Sequence, residues 1–104
     1  REPMWVLRTV ETDDDETLTF RLLPGGMKTF GRAQTADFTL DRGLVSRLHC
    51  RIINTDGRLE VEDLDSTNGT FVNGQQVKRK VLAAGDKLRI GRVELTVAEE
   101  QAEG

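Results

Sequence analysis

The sequence is short of the residues that most often carry covalent or acid–base chemistry. It has a single cysteine, Cys50, a single histidine, His49, and no tyrosine. One cysteine excludes an internal disulfide and a multi-cysteine metal site, and it fits a reducing compartment. One histidine leaves few groups that change protonation near neutral pH. No apolar run approaches the roughly 18–20 residues of a membrane span. Positive charge is not in excess: 15 Lys and Arg against 18 Asp and Glu leave a net −3. That is a poor start for binding nucleic acid, where phosphate neutralisation dominates affinity. The opening Arg1-Glu2-Pro3-Met4 has no apolar segment and does not read as a secretion signal. Residues 1–3 read as a remnant ahead of a native start at Met4. These absences lean away from an enzyme and imply no cofactor, no metal and no membrane.

What remains suits one small β-rich domain. A chain of 104 residues supports one core and no second. Nine Val, three Ile and eleven Thr favour pleated, half-buried surfaces. Met4–Val10 reads as a strand, followed by an acidic loop over Glu11–Glu16. Leu18–Leu22 alternates apolar and polar residues, the period of a strand with one buried face, and Pro24-Gly25-Gly26 marks a turn. Further strands are expected at Met27–Phe30, Phe38–Leu40, His49–Asn54, Arg58–Asp63, Thr70–Val72, Gln75–Val77, Leu88–Ile90 and Val93–Ala98. Asn73-Gly74 between two apolar segments is the strongest hairpin signal, since both residues accept positive φ. The fold class is therefore all-β, an antiparallel β-sandwich. Glu99–Gly104 reads as a polar tail, Trp5 as core, and Cys50, in phase with Ile52, as a small buried hydrophobe.

Loops at one end of such a sandwich are natural sites for function, and three are unusual. They are Gly31-Arg32, Val45-Ser46-Arg47-Leu48-His49, and the run Asp63 to Gly74. Their guanidinium, hydroxyl and amide groups (Arg32, Arg47, Arg42, Ser46, Thr67, Asn68) form a donor set suited to an oxyanion. Between Gly31 and Arg51, four Arg face Asp37 and Asp41, a local +2 within a chain of −3.

In that order, Gly31-Arg32, Ser46-x-x-His49, Asp65-Ser66-Thr67-Asn68-Gly69-Thr70 and Asn73-Gly74 resemble the forkhead-associated (FHA) domain. The resemblance runs from about Trp5 to Ala98. It implies an FHA/SMAD-like sandwich of about eleven strands over residues 4–98, monomeric as a domain, that binds phosphothreonine peptides through loops at one end. Arg32 then matches the phosphate-binding arginine and Ser46 the hydroxyl on a phosphate oxygen. Arg47 takes the variable contact position after it. Thr67 and Asn68 match the pair that holds phosphate and peptide main chain. Gly31, His49, Gly69 and Asn73 are framework positions. Arg42, with Arg47, would favour an acidic residue three positions after the phosphothreonine.

Competing readings are weaker. A Ser46–His49 hydrolase lacks the G-x-S-x-G elbow, and Asp65–Gly69 lacks calcium-loop acid spacing. Lys78-Arg79-Lys80 with Lys87 and Arg89 raises nucleic acid, but no aromatics are interleaved with them. A scaffold sandwich using a phosphate-independent face is a further alternative. Met4–Leu7 and Leu22–Gly26 also resemble nibrin-type DNA-break repair adaptors, which would place the domain in a nuclear damage response. Leu40–Ser46 equally suits a bacterial FHA adaptor beside a Ser/Thr kinase, in the cytoplasm.

Overall fold

A computed structural model describes residues 3–10 and 17–100. The acidic run Glu11–Glu16, the first two residues and the last four lie outside them. The described chain forms β1 (Met4–Thr9), β2 (Thr19–Leu22), β3 (Met27–Gly31), β4 (Phe38–Thr39), β5 (Cys50–Thr55), β6 (Arg58–Asp63), β7 (Thr70–Val72), β8 (Gln75–Val77), β9 (Arg79–Leu82), β10 (Lys87–Ile90) and β11 (Val93–Glu100). They make a six-stranded sheet in the order β2-β1-β11-β10-β7-β8 and a five-stranded sheet in the order β4-β3-β5-β6-β9.

The inner faces follow from period-two alternation. Trp5, Leu7, Leu22, Leu88, Ile90, Leu95 and Val97 from one sheet meet Phe30, Cys50, Ile52, Leu59, Val61 and Leu82 from the other, all buried. Burying each large side chain contributes roughly 1.5–3 kcal/mol. Three phenylalanines tie edges together: Phe20 of the first sheet stacks edge-on against Phe30 at 5.0 Å between centroids, and Phe38 lies 4.8 Å from Phe20. Trp5 is core as expected, and its Nε1–H also donates to Gly57 O at 3.3 Å. At that same end Asn54 Nδ2 donates to Leu22 O at 2.9 Å and to Pro3 O at 3.2 Å, joining one sheet to the other.

Three strand assignments differ from the sequence reading. β3 and β4 pair in parallel, Phe30 with Phe38 and Gly31 with Thr39, because the chain crosses over between them rather than turning back. β9 falls where no strand is expected from the sequence; it is a strand because Glu60 and Glu62 on β6 lie opposite Val81 and Arg79. Arg79 then reaches Glu62 Oε2 at 2.8 Å and Glu60 Oε1 at 3.7 Å. β11 continues through Glu99 and Glu100, which pair with Trp5 and Met4; Glu100 lies 3.6 Å from Arg8 and 3.9 Å from Arg21.

Candidate functional site

At one end of the sandwich the β3–β4, β4–β5 and β6–β7 loops converge. The first two run alongside each other past the end of β3: Arg32 N–H donates to Ser46 O at 2.9 Å and Ala33 N–H to Arg47 O at 3.1 Å. Gly31 makes this approach possible, since a Cβ there would stand 2.0 Å from Arg47 O. The framework role expected of Gly31 thus has a physical cause: no other side chain fits where the two backbones touch.

His49 fastens the second loop to the third. Its ring is fully buried. Nδ1 accepts the Ser46 backbone N–H at 3.0 Å, so the proton is on Nε2, which donates to Gly69 O at 2.8 Å. Ser46 therefore offers His49 its backbone and not its hydroxyl, a geometry unlike a Ser–His nucleophile. The Ser46 hydroxyl turns instead to the third loop, where its oxygen accepts the Thr67 N–H at 2.9 Å. That leaves the hydroxyl proton to donate outward.

The third loop is shaped by Asp63, at the end of β6. Its Oδ1 accepts Ser66 Oγ–H at 2.5 Å and Thr70 Oγ1–H at 2.7 Å, and its Oδ2 accepts the Ser66 N–H at 3.1 Å. Burial alone would raise the Asp63 pKa; these hydrogen bonds outweigh it and hold the carboxyl below its ordinary value. Asp65 (φ 55°) and Gly69 (φ 89°) sit in the left-handed region within the same loop. A Cβ on Gly69 would also meet Gln76 Nε2 at 2.8 Å. Asn73 holds the neighbouring hairpin: its Oδ1 accepts Lys87 N–H at 2.9 Å and its Nδ2 donates to Asp86 Oδ1 at 3.0 Å. With φ of 51° and 85°, Asn73-Gly74 is the turn its sequence announces.

Arg32, Ser46, Arg47, Thr67 and Asn68 all line one open hollow, together with Leu44 and Val45. Arg32 Nε–H donates to Val45 O at 3.2 Å, which orients its guanidinium and leaves the terminal nitrogens for a ligand. Asn68 Nδ2 donates to Leu44 O at 3.1 Å. Leu44 holds a positive φ of 69°, packed so closely on Gly91 that a Cβ there would lie 2.8 Å from the Leu44 carbonyl. No individual role is legible in the sequence for Leu44, Val45 or Asp63, whose parts depend on contacts distant in the chain. Arg42 does not line this hollow; its Nη1 lies 3.4 Å from Asp41 O.

The basic residues considered for nucleic acid do not form one surface. Arg79 and Lys80 lie on β9 of the five-stranded sheet, and Lys87 and Arg89 on β10 of the other. Lys78 reaches Asp65 at 3.8 Å, and Arg89 stacks over Phe71 at 4.0 Å.

Among the described residues, eleven strands form a two-sheet sandwich that gathers an oxyanion-donor set on the loops at one end. The sequence profile of the FHA domain matches residues 28–91, and the chain belongs to the FHA-domain family. It is 40% identical over 82 residues to the ABC transporter ATP-binding/permease protein Rv1747 of Mycobacterium tuberculosis, covering 79% of this chain and 9% of that protein. It is 40% identical over 78 residues to the oxoglutarate dehydrogenase inhibitor of Corynebacterium diphtheriae, covering 75% of this chain and 54% of that protein. The chain thus spans about half, or much less, of the length of these relatives. An FHA domain solved in a study of phosphothreonine-dependent FHA interactions superposes with a TM-score of 0.81 at 37% identity, over 91% of this chain and 95% of that one. The Mycobacterium and Corynebacterium relatives are bacterial, so the nibrin-type resemblance and the nuclear repair setting gain no support from them.

Proposed function

We propose that this chain is a phosphothreonine-peptide recognition module of about residues 4–98, acting without catalysis as an adaptor in bacterial Ser/Thr-kinase signalling in the cytoplasm. The carrying observation is the convergence of Arg32, Ser46, Arg47, Thr67 and Asn68 on one hollow, with loops held from beneath by His49 and Asp63. The bacterial relatives favour the kinase setting over DNA repair.

The chemistry is that of an anion receptor. A phosphothreonine carries about −1.5 to −2 charges at neutral pH. Arg32 supplies a guanidinium and Ser46 a hydroxyl to its oxygens. Arg47 adds a second cation, and Thr67 and Asn68 take the remaining oxygen and the peptide main chain. Each charge-assisted bond contributes on the order of 1.5–3 kcal/mol. Three or four, offset by ordering the peptide, leave roughly −7 to −9 kcal/mol, a Kd near micromolar. A threonine γ-methyl in contact adds about 0.8 kcal/mol, roughly fourfold over serine.

Titrating a phosphothreonine peptide into ¹⁵N-labelled protein tests this reading. Amide shifts are expected at residues 31–33, 44–48 and 66–69, and none with the unphosphorylated peptide. Shifts confined to the β5–β6 end, or equal for both peptides, would overturn it.

A further inference from the structure

A second hollow shares the same two arginines. It is an open hollow of about 510 Å³, against about 340 Å³ for the first, and is lined by Arg32, Ala33, Gln34, Thr35 and Arg47. Arg32 and Arg47 are the only residues common to both walls. The paired backbones at Arg32–Ser46 and Ala33–Arg47 place these side chains next to each other at the divide.

Among the described residues the charge at the divide is unpaired. Among the described residues no carboxylate lies within ion-pair distance of Arg32 or Arg47, and no acid lines either hollow. The nearest acid in sequence to the second hollow, Asp37, is occupied: its Oδ2 accepts the Thr29 N–H at 2.9 Å and lies 3.2 Å from Thr29 Oγ1. Arg32 Nε is bound to Val45 O on the first hollow's side. One phosphate held by Arg32 and Ser46 leaves the exposed Arg47 head, the Gln34 amide and the Thr35 hydroxyl facing the second hollow with donors to spare.

We infer that the second hollow is a second anionic subsite, so that the preferred ligand is a phosphothreonine peptide with a further acidic group close by in sequence. This rests on the function proposed above and specifies its ligand. An extended peptide advances about 3.3 Å per residue, and the hollows share a wall, so the second group falls within about three residues of the phosphothreonine. The group is a carboxylate or a second phosphate, and both present the oxygens that a guanidinium holds in pairs. Arg42 lines neither hollow and is not part of this subsite.

The test is fluorescence polarisation with a polyalanine-flanked phosphothreonine peptide as reference. In separate peptides one flanking residue on either side is replaced by Glu, and in a parallel set by phosphoserine. Wild type is expected to bind one acidic position about three- to tenfold more tightly than the reference, with the gain shrinking as salt rises. The larger gain, from Glu or from phosphoserine, identifies the source of the charge. Gln34→Glu places a carboxylate in the second hollow and should abolish the gain, whereas Gln34→Lys should enlarge it. Gln34 is exposed, so both variants should fold. A reference peptide that binds well with no gain at any position overturns this inference and leaves the phosphothreonine reading standing. A gain indifferent to both Gln34 variants also overturns it. A reference that fails to bind overturns both.

Discussion

Ser46 Oγ accepts the Thr67 backbone N–H at 2.9 Å, across 21 residues of chain. One hydroxyl thereby latches two loops and keeps its proton free to donate into the hollow that Ser46 and Thr67 line. Ser46→Ala removes both roles at once. We expect phosphopeptide affinity to fall about tenfold or more and stability to fall by about 1 kcal/mol, read by polarisation and by urea unfolding. Ser46→Thr retains the hydroxyl and should recover part of each.

His49 is buried between two backbone partners, so His49→Ala leaves the Ser46 N–H and the Gly69 carbonyl unpaired and opens a cavity. A loss of about 2–4 kcal/mol is expected in urea unfolding. Long-range ¹H–¹⁵N spectra should show the Nε2–H tautomer at pH 7; an Nδ1–H form would contradict the arrangement.

The Asp63 carboxyl titrates below its ordinary value in the folded protein. Its stabilising effect is complete above the unfolded-state pKa, about 3.9, and is lost as pH falls through the lower folded pKa. Wild type should therefore be more stable than Asp63→Asn at pH 7, and the gap in urea midpoints should close below about pH 4. Peptide binding should weaken earlier, as the phosphate takes its second proton near pH 6. Two separated acid transitions, binding before folding, are the expected pattern.

Gly31→Ala forces a methyl onto the Arg47 carbonyl. Backbone cannot yield cheaply there, and we expect a cost of at least about 1–3 kcal/mol, with binding lost because Arg32 and Arg47 are displaced together. Gly43→Ala, in open space, is the control and should change neither.

Much of this was legible because local chemistry and tertiary structure agree. Asn73-Gly74 announces its turn through the backbone angles that only such residues adopt readily, and the alternation in Leu18–Leu22 and Arg58–Asp63 marks strands. The order Gly31-Arg32, Ser46, His49, Thr67-Asn68 located the hollow, since each residue sits in a loop end next to a readable strand. Other features depend on partners far along the chain. Arg79–Leu82 carries no strand signal of its own until Glu60 and Glu62 lie opposite it. Val45 and Leu44 act through carbonyl oxygens, which leave no trace in side-chain identity. Nothing in the sequence singles out Asp63, and only the fold brings Ser66 and Thr70 onto it. Arg42 is visible in sequence as a charge, but loop packing decides which residues line the hollow, and Arg42 is not among them.

The most direct test of the central claim is the affinity of a phosphothreonine peptide for wild type and for Arg32→Ala, with circular dichroism confirming that both are folded. Micromolar binding by wild type, absent for the unphosphorylated peptide and about tenfold to hundredfold weaker in Arg32→Ala, is the predicted result. Equal affinity for the two proteins, or for the two peptides, would contradict it.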